Sequence, residues 1–258
     1  MDKYLEDKII SYYTKYYRDD CCLKNYTSRS YRRLKEESNE EGRLSRLESL
    51  NINFHNKNHC IIGAGTGGLA LVLNKKYNSQ VFGIEPNQEA LNIIKIKCNL
   101  NNIPENNFKL AYAENIPFKN NQFDFIHCHT VLEHVKNVSK SIDEMIRITK
   151  PSGHIYINTP NYSYPYEGHY KIPLPTFLSK KVCYLYLRLL GKSPAFLKTI
   201  NFITEKKLNK ILNQKNNLTW LKIYEPLTKS KGKISLLLNY LKFNHFIYPN
   251  QEIIITKK

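Results

Sequence analysis

The sequence predicts an α/β fold, a seven-stranded, mostly parallel sheet with helices on both faces. Three observations predict it. From His59 onward, short β-type runs alternate with helical stretches, the pattern of strands joined by crossover helices. The first strand runs directly into the glycine-rich turn Gly63-Ala64-Gly65-Thr66-Gly67-Gly68 and then into a helix. The second ends on a carboxylate, Glu85, 22 positions after Gly63. With 258 residues, 41% of them hydrophobic, the chain can bury such a core and is too apolar for general disorder.

Residues 1–56 read as an N-terminal helical cover. Tyr4, Leu5, Ile9, Tyr12 and Tyr13 fall at helical spacing. A second, charged run from Ser28 to Leu50 places Leu34, Leu44, Leu47 and Leu50 on one stripe, with Ser38-Asn39 as a turn-prone interruption. Residues 57–160 form the sheet core, with strands at Cys60–Gly63, Val81–Glu85, Phe108–Tyr112, Phe123–His129 and His154–Thr159. Helices lie between them near Gly67–Lys76, Gln88–Leu100 and Ser139–Thr149, and Lys150-Pro151-Ser152-Gly153 is a turn before the fifth strand. Residues 161–200 break the rhythm with Pro165, Pro173, Pro175, Pro194 and many aromatics. At about 40 residues this insertion is longer than a plain connection requires. Residues 201–258 complete the sheet: a helix Thr204–Asn213 capped by Thr204, a strand near Leu218–Tyr224 and a last strand at Glu252–Thr256.

Several classes are disfavoured at once. No stretch approaches the ~18–20 apolar residues of a membrane span. Met1-Asp2-Lys3-Tyr4-Leu5-Glu6-Asp7 is too acidic for an export signal, and the six cysteines show no Cys-x-x-Cys spacing. They read as reduced thiols of a cytoplasmic protein. The formal net charge of +17 is unevenly spread: residues 161–258 hold 17 basic and 4 acidic side chains, while the rest is nearly balanced. That excess suits an anionic partner on the insertion side, although a Lys- and Asn-rich composition also produces it.

The glycine turn fits a ligand that approaches the backbone, because side chains would block it and a helix N-terminus follows. Taken alone it suits a dinucleotide (Gly63, Gly65, Gly68) or an adenosyl cofactor (Gly63, Gly65, Gly67). Glu85 stands where a carboxylate can accept both hydroxyls of a ribose, or can cap the helix that begins near Asn87. Further on come Ala111-Tyr112-Ala113-Glu114-Asn115-Ile116-Pro117-Phe118, then Asn121-Gln122-Phe123-Asp124-Phe125-Ile126 and Val131-Leu132-Glu133-His134-Val135.

This ordered series, over residues 57–160, resembles the class I S-adenosylmethionine-dependent methyltransferases. More narrowly it resembles the type 11-like group that includes the ubiquinone and menaquinone biosynthesis enzymes. The resemblance implies a Rossmann-like sheet and S-adenosyl-L-methionine as cofactor, with S-adenosyl-L-homocysteine as product. It places Gly63, Ala64, Gly65 and Gly67 along the methionine and ribose, Glu85 on the ribose hydroxyls, and Pro86 and Asn87 beside the adenine. The family's usual Asp-Ala after the third strand is Tyr112-Ala113 here, so Glu114 is expected to replace the Asp at the adenine amino group. His129 and Thr130 come close to the methionine end. Asp124 reads as a structural residue at the strand start.

For a hydroxyl acceptor the protein must align it and help remove its proton, and a positioned base contributes ~10²–10⁴-fold. His134, His129 and His169 are the expected catalytic residues, with Glu133 and Glu167 near them. The Glu-x-x-Glu-His magnesium set of one related subgroup becomes Thr130, Glu133 and His134, which lacks the first carboxylate, so no metal is expected. Tyr162, Tyr164, Tyr166, Glu167, His169 and Tyr170 form either an acceptor wall or a loop packed by its own aromatics. Lys180–Leu190 and Ile234–Leu241 either pack on the domain or lie on an anionic membrane surface at the inner face.

The leading reading is O-methylation of a small-molecule, glycan or lipid-linked acceptor. A nucleic-acid methyltransferase is favoured by the basic last third, but His129-Thr130-Val131-Leu132 replaces the Asn/Asp-Pro-Pro-Tyr of base amino-group enzymes. A non-catalytic cofactor-fold binding protein is a third reading, and a nicotinamide-dependent enzyme a fourth.

Overall fold

The computed structural model describes residues 3–168, 170–174, 176, 178–223 and 248–258. The chain opens with α1 (Lys3–Lys15), a π-turn at Tyr16–Asp20, α2 (Tyr26–Arg32) and α3 (Glu36–Glu48). α1 buries Leu5, Ile9 and Tyr13 and leaves Tyr4 exposed, so the expected stripe is narrower than its pattern. Ser38-Asn39 does not interrupt α3. Leu44 and Leu47 are buried on α4, and Glu36 and Glu37 in the first turn suit the positive end of the helix dipole. Leu50 lies beyond the helix and is exposed.

The core follows as β1 (Asn58–Ile62), α4 (Gly68–Tyr77), β2 (Gln80–Glu85), α5 (Gln88–Leu100), β3 (Phe108–Leu110), β4 (Phe123–His129), α6 (Val138–Ile148) and β5 (Thr149–Pro160). β3 stops short of the expected Tyr112. The expected turn before β5 is instead an irregularity inside it. Phe123 pairs with Thr149 and Phe125 with His154, so Lys150–Gly153 bulge out of the ladder with Ser152 at φ 61°. Gly153 is required there, since a Cβ would sit 2.7 Å from Thr149 Cγ2 and 2.9 Å from the Lys150 carbonyl oxygen.

The insertion contains a two-stranded ribbon, β6 (Tyr166–Glu167) against β7 (Ile172–Pro173), then α7 (Lys180–Leu189) and α8 (Ala195–Lys198). α9 (Glu205–Asn213) begins at Thr204, whose hydroxyl accepts from the Lys207 N–H. β8 (Leu218–Ile223) and β9 (Asn250–Lys257) finish the sheet. Its order is β3-β2-β1-β4-β5-β9-β8, with β9 antiparallel to both neighbours. Tyr224 and the apolar run Ile234–Leu241 lie outside the described residues, as do Pro175 and His169.

Alternation along β4 explains why both faces are covered. Phe125 joins α3 and α4 in one core, while Ile126 and Cys128 join α6 and α9 in the other. A third cluster packs α1 against α5 and the insertion through Leu5, Ile9, Ile93, Tyr162, Cys183 and Leu187. The order reverses between β1 and β4, which opens a crevice at the C-terminal ends of these strands. Gly63 and His129 stand on its two sides.

Candidate active site

The turn after β1 is left-handed at Gly63 (φ 68°), Gly65 (φ 58°) and Gly67 (φ 86°), a conformation that L side chains rarely adopt. Space reinforces the choice at Gly63, where a Cβ would lie 2.5 Å from Val131 Cγ2. Most of the turn's donors are used internally. Ala64 N–H donates to the Ile84 carbonyl, Gly67 N–H to Ala64, and Gly65 N–H to Glu85 Oε2 at 2.9 Å. Glu85 Oε1 accepts from the Asn87 N–H at 3.0 Å. Burial pushes the Glu85 carboxyl above its usual value, and these two N–H groups pull it back in part. A carboxylate offers about four acceptor positions. The two that the backbone leaves are enough for a pair of vicinal hydroxyls.

On the other side of the crevice, β4 ends at His129 and Thr130. Thr130 has φ 53°, and its N–H donates to the Asn158 carbonyl at 2.8 Å. A β-branched residue in this region is strained, on the order of 1–3 kcal/mol. The Thr130 hydroxyl donates back to the His129 carbonyl at 2.7 Å. Burial first, then Arg43 and Arg33, holds the His129 imidazole well below its ordinary value, so it is neutral at physiological pH.

Residues 61–157 match the family model described as "Methyltransferase domain". This stretch is a class I S-adenosylmethionine-dependent methyltransferase domain. Among curated relatives, the ubiquinone/menaquinone biosynthesis C-methyltransferase of Rickettsia typhi is 33% identical over 104 residues, covering 38% of this chain and 42% of that protein. Norajmaline N-methyltransferase of Rauvolfia serpentina is 32% identical over 102 residues, covering 39% of this chain and 35% of its own. The matched region is thus less than half the length of these relatives. A solved structure from Methanococcus maripaludis, described as an S-adenosyl-L-methionine-dependent methyltransferase, aligns with a TM-score of 0.55 at 15% identity over 100% of this chain and 96% of that one, a likeness of fold.

The methyltransferase domain suits its cofactor at the glycines and at Glu85, where side-chain-free backbone meets a buried acceptor. Pro86 follows Glu85, and Asn87 caps α5 with Oδ1 accepting from the Ala90 N–H at 3.0 Å. Beyond β3, Tyr112 is 64% exposed with the Lys136 ammonium 6.0 Å from its ring centre, and Ala113 is buried. Glu114 points its Oε1 to α6 instead, accepting from the Lys136 and Asn137 N–H groups at 2.6 and 3.1 Å. Its expected adenine contact therefore competes with an anchoring role. Asp124 is structural as expected: it accepts from the Asn58 N–H at 2.9 Å and pairs with Lys150 at 2.8 Å.

The expected catalytic histidines do not converge on one position. His134 lies on the α8 side with its ring 6.0 Å from Phe196, and Glu133 beside it is buried and accepts from the Thr159 hydroxyl at 3.0 Å. His129 faces Arg33 and Arg43 of the cover. His169 is outside the described residues. Among the described residues no group of three His, Cys, Asp or Glu side chains is arranged to hold a metal. Much of the aromatic run packs on itself: Tyr162 and Tyr170 are buried, Tyr162 stacks on Phe202, and Tyr166 stays exposed. Glu167 is buried and accepts from the Tyr170 N–H at 2.7 Å.

Sequence reasoning missed the way the cover grips the turn. Thr66 donates to Glu36 at 2.7 Å and lies 3.3 Å from the Tyr13 hydroxyl, while the buried ammonium of Lys97 closes on the other Glu36 oxygen. Burial pushes the Tyr13 phenol up to about 12, so it stays protonated. Glu36 and Lys97 are 61 positions apart and on different helices. No motif spacing signals such a pair.

Proposed function

We propose that the protein transfers a methyl group from S-adenosylmethionine to a hydroxyl of a small-molecule, glycan or lipid-linked acceptor that also carries a negative charge. The carrying observation is His129, a neutral imidazole at the end of β4 with two guanidinium groups acting on it. A hydroxyl must lose its proton on methylation, and a neutral imidazole is the form that can take it. Arg33 and Arg43 come from the N-terminal cover, so the cations that reach the crevice are not those of the basic last third. They favour a phosphate or carboxylate on the acceptor.

Gly63, Ala64, Gly65 and Gly67 would hold the cofactor through backbone, and Glu85 through its carboxylate. Bound there, S-adenosylmethionine supplies a sulfonium methyl that is already activated for displacement. His129 accepts the acceptor's proton at a ring nitrogen. Glu36, Tyr13 and Thr66 keep the cover against the turn and exclude water from it. The relatives' names span carbon and nitrogen acceptors, so the preference for oxygen rests on His129.

The test uses S-adenosylmethionine labelled in its methyl group and panels of anionic alcohols, amines and activated carbon acids. Label on oxygen, lost in His129→Gln with cofactor affinity unchanged, is expected. Label on nitrogen or carbon alone overturns the oxygen assignment. Absence of any calorimetric heat with S-adenosylmethionine or S-adenosylhomocysteine overturns the methyltransferase reading.

A further inference from the structure

α7 carries apolar side chains on two opposite sides. Cys183 and Leu187 are buried in the cluster shared with α1 and α8. Across the helix, Leu178, Val182, Leu185 and Leu189 recur at spacings of four, three and four residues and are 43, 42, 59 and 77% exposed. Such spacing puts all four on one stripe about 180° from the buried pair. Leu190 extends the stripe at the helix end. The expectation that this segment simply packs on the domain is met by one side only.

The charge around the stripe has one sign. Between Gly168 and Thr204 the chain holds six basic residues and no carboxylate. Lys180 turns inward and donates to the Ile200 carbonyl, while Lys181 and Arg188 are exposed beside the stripe on the helical wheel. A stripe of leucines bordered by cations complements a surface that is apolar underneath and anionic on top. A second copy of the chain fits poorly, because a two-fold axis would set Lys181 and Arg188 against themselves with no acid to pair.

We propose that α7 is an interfacial helix that seats the protein on an anionic lipid bilayer. Leu178, Val182, Leu185 and Leu189 enter the boundary between headgroups and acyl chains, and Lys181 and Arg188 meet lipid phosphates. Since α7 and α1 share a core and Tyr13 of α1 touches the glycine turn, the seated face adjoins the cofactor crevice. The proposal stands apart from the methyl-transfer reading and is read without catalysis.

The experiment is co-sedimentation of the full chain with vesicles of phosphatidylcholine alone or with about one third phosphatidylglycerol. Binding to the anionic vesicles only, weakening as salt shortens the screening length, is expected. Leu185→Gln with Leu189→Gln should lower partitioning on the order of tenfold. Lys181→Glu with Arg188→Glu should do the same, whereas Lys206→Glu with Lys210→Glu on the equally basic α9 should change it less than about twofold. The leucine positions are exposed, so circular dichroism and thermal unfolding should match the parent. No binding to anionic vesicles overturns the proposal, as does binding that the leucine pair leaves intact or the α9 pair abolishes equally. So does a dimer in sedimentation equilibrium that the leucine pair dissolves without any vesicle binding.

Discussion

Glu36 of the N-terminal cover accepts a 2.7 Å hydrogen bond from Thr66 of the glycine turn. Its other oxygen pairs with Lys97, whose ammonium is buried, so one carboxylate ties the cover, the turn and α5 together. Glu36→Gln leaves Lys97 with only Glu37, 4.0 Å away. Removing one partner of a buried pair costs about 3 kcal/mol, which denaturant unfolding should register. Glu36→Gln with Lys97→Met should recover most of that stability, because no buried charge is then left alone. Cofactor affinity should stay reduced in both, since the grip on Thr66 is weakened.

Glu85 should dominate cofactor affinity. Glu85→Ala removes the acceptor for the Gly65 and Asn87 N–H groups and for the ribose. Hydrogen bonds to a charged group are worth about 1.5–3 kcal/mol, so calorimetry should show at least a roughly tenfold weaker S-adenosylmethionine complex. Burial raises the Glu85 carboxyl, so its ionised form is lost on acidification earlier than for an ordinary glutamate. Affinity should fall correspondingly early as pH drops, and Glu85→Gln should flatten that dependence.

The pH profile of turnover should report His129. Its imidazole is held below the ordinary value of about 6.5, so the base form persists through neutral pH. kcat/KM should be flat there and decline only at more acidic pH. His129→Gln should remove that acid limb and lower kcat by ~10²–10⁴-fold with little change in cofactor affinity. Arg43→Met should shift the limb toward neutral, because one of the cations opposing protonation is gone.

Asp124 should matter for stability alone. Burial pushes its carboxyl up, but the Lys150 ammonium and the Asn58 N–H outweigh this and hold it below the usual range. A carboxyl depressed in the folded state stabilises above its unfolded value, and the contribution is lost as pH falls through the folded one. Asp124→Asn should cost about 1 kcal/mol at neutral pH. The difference from the parent should vanish in acid, with cofactor affinity unchanged throughout.

The strand–turn–helix series and the Gly63, Gly65, Gly67 and Glu85 constellation were legible because they depend on local chemistry. A left-handed turn needs glycine, a buried strand needs apolar residues, and a ribose needs an acceptor at a strand end. Tyr112 and Glu114 were less legible: a carboxylate near the adenine side reads the same whether it faces a ligand or, as here, the N-terminus of α6. Ser38-Asn39 misled for a related reason. Two turn-prone residues break an isolated helix, but the packing of Leu44 and Leu47 keeps α3 intact.

The sequence by itself determined the sheet, its cofactor turn and the chemical class of its domain, because these follow from residue types at short, regular spacings. Only the tertiary structure decided that Glu36 and Lys97 meet beneath Thr66, that Arg33 and Arg43 act on His129, and that α7 leaves its leucines uncovered. Those outcomes depend on how separate helices are packed. Packing is set by the summed burial of many distant side chains, which no single stretch of sequence displays.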